Sequence, residues 1–195
     1  MAKQAYVYSG TDWVPLASEV TNLSTYQTKA ATGLVLLNTT SFSGVASASL
    51  PADTFTSTYK NYRVLIDFAN SGSSGNTKLR FRTSGSDNTT ANYQESRIFQ
   101  YGTTVGGYRA GNATTFADVS ATTTKTLFIM DILGPQTATT TLVDGAVQYS
   151  LESSSGIEWS NFSASFSLTT SFDSMSVFAS ATNITGTITA YGYNN

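Results

Sequence analysis

The sequence contains neither cysteine nor histidine among its 195 residues. These absences exclude disulfides, thiol nucleophiles, zinc sites built from cysteine and histidine, and a Ser-His-Asp catalytic triad. Charged residues make up only 11% of the chain, against about 25% in an average globular domain. The formal net charge is -2, so the chain has no basic field, and we expect no nucleic-acid partner.

Long apolar runs are also lacking. The longest runs, such as Leu34–Leu37, fall far short of the ~20 residues that cross a bilayer. The segment Met1–Tyr6 has no apolar stretch of the kind found in signal peptides. We therefore expect a protein that is made in a cytoplasm and does not insert into a membrane.

The chain is instead rich in alternating β patterns. The densest run of β-branched and aromatic residues is Tyr59–Phe68, and its even-numbered side chains from Tyr62 onward form one apolar face. Further short runs of this kind recur, separated by turn-forming clusters, with no helical period. Residues 32–195 are therefore predicted to form an all-β domain, a jelly-roll-like antiparallel β-sandwich. The predicted strands cover residues 33–39, 42–49, 61–69, 77–83, 94–101, 115–119, 125–133, 141–150, 160–168, 174–181 and 185–193.

The run Lys125–Leu133 has two faces that are both mostly apolar. A strand of this kind fits between the core and a second buried surface, which an oligomer would supply. We predict that its second surface is an interface between copies of the chain. The side chains assigned to this interface are Phe128, Met130 and Ile132.

Residues 1–16 are predicted to form a hairpin arm. Two aromatic and β-branched runs flank the Gly-containing turn Ser9–Asp12. Because two strands alone are marginally stable in water, the arm should pack on something else, and we favour another protein. The predicted anchoring side chains are Tyr6, Tyr8, Trp13 and Leu16.

Residues 17–31 are predicted to be a linker. A helix over 15–31 is the only plausible one in the chain, and Leu16, Val20 and Leu23 follow 4-3 spacing. One interpretation is a short trimeric coiled stalk with Val20 and Leu23 in its interface. The other is an irregular linker or a single helix that packs on the domain. About two heptads do not decide between them.

Three groups of charged residues invite functional hypotheses. Asp67 and Asp131 are candidates for a carboxylate pair of the glycosidase type. The favoured interpretation is structural: each meets a cross-strand arginine or lysine, or lies on a solvated or intersubunit face. Asp87, Asn88 and Glu95 are candidates for calcium binding, but a simple Asx turn is favoured. The basic face formed by Lys78, Arg80 and Arg82 could bind acidic sugars, but a solvated face that discourages pairing at a sheet edge is favoured. We predict no catalytic site, no metal and no cofactor.

The segment Gly102–Gly111 is predicted to be a long exposed loop. Its glycines match neither a dinucleotide-binding nor a phosphate-binding motif. Tyr101, Tyr108 and Arg109 flank or lie in this segment, and they are the candidates for a receptor-facing loop that stacks on a sugar ring. The alternative is a loop closed by its own aromatic side chains.

Three short motifs resemble structural proteins of tailed phages, particularly marine and cyanobacterial phages. The first is the opening Ala5–Leu16, which contains Tyr6-Val7-Tyr8-Ser9-Gly10-Thr11-Asp12-Trp13 and resembles their Tyr-x-Tyr-x-Gly-x-x-Trp N-terminal modules. The second is the Tyr59–Phe68 strand, which resembles the core strand of small phage fibre domains. The third is the ending Ile184–Asn195, in which Gly186–Tyr193 is similar to their Gly-Thr-hydrophobic-x-x-Tyr-Gly-Tyr terminal strand.

This resemblance implies a virion protein that is assembled in the host cytoplasm. It implies a homotrimer that is anchored to capsid, neck or tail proteins by its N-terminal module and displays a β-sandwich outward. The expected function is that of a fibre that attaches to the host surface, where a glycan would be the partner. The alternative is a capsid decoration protein that binds no receptor.

Overall fold

A computed structural model of the chain describes residues 6–15, 33–72, 75–121, 125–150 and 157–194. In these residues all regular secondary structure is β, with fifteen strands, and no helix that could cross a membrane is found among them. The chain divides into two compact units, Met1–Gly33 with Asn194–Asn195 and Leu34–Tyr193. The predicted linker or stalk at residues 17–31, with Leu16, Val20 and Leu23, lies outside the described residues.

The predicted N-terminal hairpin is confirmed. Strands β1 (Tyr6–Tyr8) and β2 (Trp13–Pro15) pair antiparallel, with Tyr8 opposite Trp13. The turn is closed by the Ser9 N–H, which donates to the Asp12 carbonyl over 2.8 Å. Pro15, which was expected to start a helix, is instead the last residue of β2.

The second unit contains two antiparallel sheets, which confirms the all-β prediction. The larger sheet has eight strands in the order β3-β15-β5-β11-β12-β13-β8-β9. Their bounds are Gly33–Val45 (β3), Asn61–Asn70 (β5), Tyr93–Tyr101 (β8), Thr104–Ala113 (β9), Thr126–Leu133 (β11), Thr141–Ser150 (β12), Ile157–Phe166 (β13) and Ile184–Asn194 (β15).

The smaller sheet has five strands. Its order is β10-β6-β14-β4, and the short β7 also pairs with β6. Their bounds are Ser47–Ser49 (β4), Gly75–Thr83 (β6), Ser86–Asp87 (β7), Phe116–Ala121 (β10) and Ser174–Ala179 (β14).

The inner faces of the two sheets share one core. The predicted central strand is β5, which lies between β15 and β11 and buries Tyr62, Val64 and Ile66 completely. Aromatic rings join the sheets, as where Phe81 of β6 lies 6.2 Å from Tyr93 of β8, centre to centre. Burying such side chains is worth roughly 1.5–3 kcal/mol each, so this core stabilises the unit.

The assignment of Phe128, Met130 and Ile132 to an interface between copies is wrong. All three are at most 1% exposed and lie in the core of a single chain. Alternation shows which side chains share a face of a strand, but it does not show which face meets the core. The outward side of β11 is the other one, where Ile129 is 38% and Leu133 39% exposed.

Close packing around β15 explains two glycines of the terminal motif. A Cβ on Gly186 would lie 2.1 Å from the carbonyl oxygen of Asp67 on the neighbouring β5. A Cβ on Gly192 would lie 2.5 Å from the ring of Tyr59. Both positions therefore require glycine, because the strand runs too close to its neighbours for any side chain.

Candidate functional site

The eight-stranded sheet presents an outer face, defined here as the side turned away from the core. The strand registers align one row of outward side chains across five strands. The row consists of Asp131, Asp144, Ser163, Ser96 and Arg109, on β11, β12, β13, β8 and β9. Small uncharged side chains therefore separate Asp144 from Arg109.

A groove lies on this outer face, over β13 and its neighbours. It consists of two adjoining depressions, of about 550 and 330 Å³, which share Ser96 and Ser163 in their linings. The larger depression includes Arg109 and Leu142, and the smaller one includes Trp159, Asn161, Asp144 and Ile98. The groove is thus an open trough with a mixed polar and apolar lining.

Trp159 is held in place by one hydrogen bond. Its Nε1–H donates to Oε1 of Gln100, the residue opposite it on β8, over 2.7 Å. The side chain is partly exposed on the outer face. Because its one polar atom is already bonded, the indole offers a ligand its ring surface rather than a donor.

Asp131 lies at the centre of a second arrangement on the outer face. Arg63 donates two hydrogen bonds to its carboxylate, of 2.9 and 2.7 Å, and the Tyr193 hydroxyl donates a third of 2.6 Å. The hydrogen bonds from Arg63 lower the pKa of the Asp131 carboxyl below its usual value, and Tyr193 adds to the effect. This network joins the neighbouring strands β5, β11 and β15.

The interpretation of Asp67 and Asp131 as ion-paired residues is confirmed. Asp67 lies 2.7 Å from the Lys125 ammonium, and Asp131 lies 2.7 Å from Arg63. Asp67 is opposite Leu127, four residues before Asp131 on β11, so the two backbones are roughly 13 Å apart. Glycosidase carboxyl pairs are closer, at about 5 to 9.5 Å. The structure therefore does not bring these carboxylates together.

Two buried carboxyl groups lie on the inner side of the eight-stranded sheet. Glu95 of β8 is 5% exposed and lies beside Arg97, and Glu158 of β13 is 1% exposed and lies opposite Tyr149 of β12. Because Glu95 is opposite Ala164, six residues from Glu158 on β13, the backbones of the two glutamates are about 20 Å apart. Burial raises the pKa of the Glu95 carboxyl, and the Arg97 guanidinium 3.5 Å away opposes this. Burial and the neighbouring Glu158 raise the pKa of Tyr149. No group of three acidic side chains in the described part of the chain could hold a metal ion.

The basic residues of β6 share one outward face, as predicted. Lys78 pairs with Asp118 at 3.0 Å, and Arg82 pairs with Asp87 at 3.0 Å. Because β6 lies between β10 and β14, these charges do not protect a sheet edge. Asn88 forms the expected Asx turn, since its Oδ1 accepts from the Thr90 N–H over 3.0 Å.

The receptor-facing loop predicted from Tyr101, Tyr108 and Arg109 does not exist. Residues 104–113 form strand β9, and only Gly102 and Thr103 make the turn from β8. Tyr108 and Arg109 are adjacent on β9 and therefore point to opposite faces. Tyr108 lies 4.4 Å from the Arg97 guanidinium on the inner side, whereas Arg109 lines the groove. Glycines at 102, 106, 107 and 111 suggested a loop, but pairing with β8 overrides their low strand propensity.

Trp159, Asn161 and Asp144 were not predicted as site residues from the sequence. The alternation within β13 was visible, since Trp159, Asn161 and Ser163 are spaced by two. It could not show which side faced outward, nor that β12, β8 and β9 would place Asp144, Ser96 and Arg109 beside them. The residues that line a groove across several strands are set by strand order and register, which the local sequence pattern does not give.

Comparison of the chain with protein-family models, with curated proteins and with solved structures finds no significant match in any of the three.

Proposed function

We propose that this chain is a structural virion protein of a tailed phage. In this proposal it is a trimeric fibre or appendage, with a jelly-roll-like β-sandwich for attachment to the host surface. The N-terminal hairpin anchors it to capsid, neck or tail proteins. The three motifs that resemble phage structural proteins support this proposal.

The observation that carries the proposal is the exposed aromatic hairpin. Tyr6, Tyr8 and Trp13 are 51%, 55% and 69% exposed, and the rings of Tyr8 and Trp13 lie 5.4 Å apart. A two-stranded sheet is marginally stable in water, and exposed aromatic clusters of this kind are typical of contact surfaces. The hairpin therefore has the chemistry of an anchor.

The anchor is tested in virions with the variant Trp13→Ser. We expect at least a tenfold loss of the protein from purified particles, measured by quantitative mass spectrometry, because the exposed indole would fill a pocket on the partner. The matched control is Ile157→Ser, which removes a 71% exposed side chain from the sheet domain and should incorporate normally. Absence of the wild-type protein from particles would overturn the proposed function, and normal incorporation of Trp13→Ser would overturn the anchor.

The trimer is tested by native mass spectrometry, where we expect three times the 20.7 kDa chain mass. With Phe128, Met130 and Ile132 in the core, the outward apolar side chains Ile129 and Leu133 supply a contact between copies. The trimer of the double variant Ile129→Thr with Leu133→Thr should be weaker, so it should dissociate at protein concentrations at which the wild-type chain is still a trimer. The control is Leu168→Thr, which changes a 47% exposed leucine that lies outside the strands. A monomeric wild-type protein would contradict the trimer.

The alternative is a capsid decoration protein that binds no receptor. The purified chain distinguishes the two, since an attachment fibre should bind host cells and a decoration protein should not. The groove beside Trp159 favours attachment.

A further inference from the structure

We propose that the groove on the outer face of the eight-stranded sheet binds an acidic oligosaccharide. Trp159 stacks on a sugar ring, Arg109 pairs with a carboxylate of the ligand, and the short side chains between them bind hydroxyl groups. This inference rests on the proposed function only for the source of the ligand, which would be the surface of a host cell.

The stacking surface is Trp159. Its hydrogen bond to Gln100 fixes the ring before any ligand arrives, so little rotational freedom is lost on binding. The face of an indole ring carries partial negative charge, and the C–H groups on one side of a sugar ring carry partial positive charge. An indole in an open trough is therefore better suited to bind the face of a sugar ring than to bind an apolar ligand that needs an enclosed pocket.

The floor of the groove supplies hydrogen-bonding groups close to the sheet. Ser96, Asn161 and Ser163 are all exposed, and they are short enough to let a ligand approach the strands. The side chains of Ser96 and Asn161 make no hydrogen bond with any other residue that the structure describes, and the Ser163 hydroxyl makes one long hydrogen bond of 3.3 Å to the Asp144 carboxylate. The Asp144 carboxylate adds an acceptor for sugar hydroxyls. Such adjacent donors and acceptors match the hydroxyl groups of a sugar.

Arg109 indicates that the ligand carries a negative charge. The other four arginines each bond a carboxylate or a carbonyl oxygen in the chain, as Arg63 does with Asp131. Arg109 is exposed and has no such partner among the described residues. A free guanidinium is suited to bind a carboxylate with two parallel hydrogen bonds. It is therefore the one arginine available for a charged ligand.

The dimensions of the groove indicate an oligosaccharide. Arg109 is two strands from Ser163, which corresponds to about 10 Å, and Trp159 is four residues along β13 from Ser163, about 13 Å. These distances exceed a single sugar ring. A nucleic acid is disfavoured, because it would require several cations for its phosphates and the groove has one.

The experiment uses the purified full-length chain and an array of oligosaccharides of matched length, with and without uronic acid. Wild type should bind members that contain uronic acid, and calorimetry then gives affinities for the strongest of them. Trp159→Ala should weaken binding at least tenfold. Arg109→Ala should weaken binding of the acidic ligand at least tenfold and leave binding of its neutral counterpart unchanged.

Two controls match these variants. Ile157→Ala removes another outward apolar side chain from β13, and Lys60→Ala removes another exposed positive charge that has no ion pair among the described residues. Both should bind as wild type does, and unfolding midpoints confirm that every variant is folded.

Absence of binding to all acidic oligosaccharides would overturn the proposal, as would wild-type affinity in Trp159→Ala. Equal binding of acidic and neutral ligands would overturn the role of Arg109. These measurements need no virion. If the chain binds the acidic ligand but is absent from particles, the proposed function is refuted and the proposal that the groove binds an acidic oligosaccharide is supported.

Discussion

The outer faces of the two sheets use polar side chains in opposite ways. On the five-stranded sheet, Lys78, Arg80 and Arg82 are all engaged within the chain. Arg82 and Asp87 are 3.0 Å apart, Arg80 donates to the Thr114 carbonyl over 3.0 Å, and the Arg80 guanidinium lies 4.6 Å from the centre of the Phe178 ring. The basic side chains of this face are therefore bonded to other groups of the same chain.

The outer face of the eight-stranded sheet is mostly uncharged. Its ion pairs in the described residues are Arg63 with Asp131 and Lys125 with Asp67. The groove instead collects a tryptophan, short polar side chains and an arginine without an internal partner. On the five-stranded sheet the charged side chains are bonded to one another, whereas the groove holds hydrogen-bonding side chains that have few partners among the described residues, as the proposed ligand site requires.

Among these variants, the largest loss of folding stability should come from removing the Asp87 carboxylate. Asp87→Ala leaves Arg80 and Arg82, whose side chains are only 22% and 18% exposed, without their carboxylate, and Ser176 loses a hydrogen bond of 3.0 Å. We expect a loss of about 2 kcal/mol in the free energy of unfolding, between the values for exposed and buried pairs. Urea unfolding measures it.

The matched variant on the other face is Asp144→Ala. Asp144 is exposed, lies opposite Asp131 on β11, and accepts one long side-chain hydrogen bond, from Ser163, among the described residues. Its loss should therefore change stability by less than about 0.5 kcal/mol. Equal losses for the two variants would contradict the contrast between the faces.

A smaller effect is expected for Asp131→Asn. The Arg63–Asp131 pair is about one third exposed, so we expect a loss of about 1 kcal/mol at pH 7. Because the pKa of Asp131 is lowered in the folded state, its contribution is present above about pH 4 and is lost as the pH falls through that lowered value. Urea unfolding at pH 7, 5 and 3 should show the difference from wild type shrinking only at the lowest pH. A difference that grows on acidification would be inconsistent with this network.

The smallest effect should be that of Arg109→Ala on stability. Since Arg109 has no partner among the described residues, the free energy of unfolding should stay within about 0.5 kcal/mol of wild type. Arg80→Ala should cost about 1 kcal/mol, because it removes a hydrogen bond and a cation–π contact. Thermal and urea unfolding of the two variants provide the check, and a larger loss for Arg109→Ala would show that this residue serves the fold.

Much of the fold could be predicted from local patterns. The β5 strand and the hairpin between Tyr8 and Trp13 were predicted correctly, because alternation and turn residues act over short distances. The β9 strand was missed, since its glycines have low intrinsic strand propensity and only pairing with β8 stabilises it. Of the groove, only Arg109 was singled out, and it was placed on a loop.

The sequence by itself determined the all-β class, the alternation of side chains and the absence of thiol and imidazole chemistry. Only the tertiary structure decided that Phe128 faces the core and Ile129 faces outward, and that Trp159, Asp144 and Arg109 border one groove. The physical reason is that alternation has a period of two and is symmetric between the faces of a strand. Strand order and register, which depend on contacts between distant parts of the chain, break that symmetry.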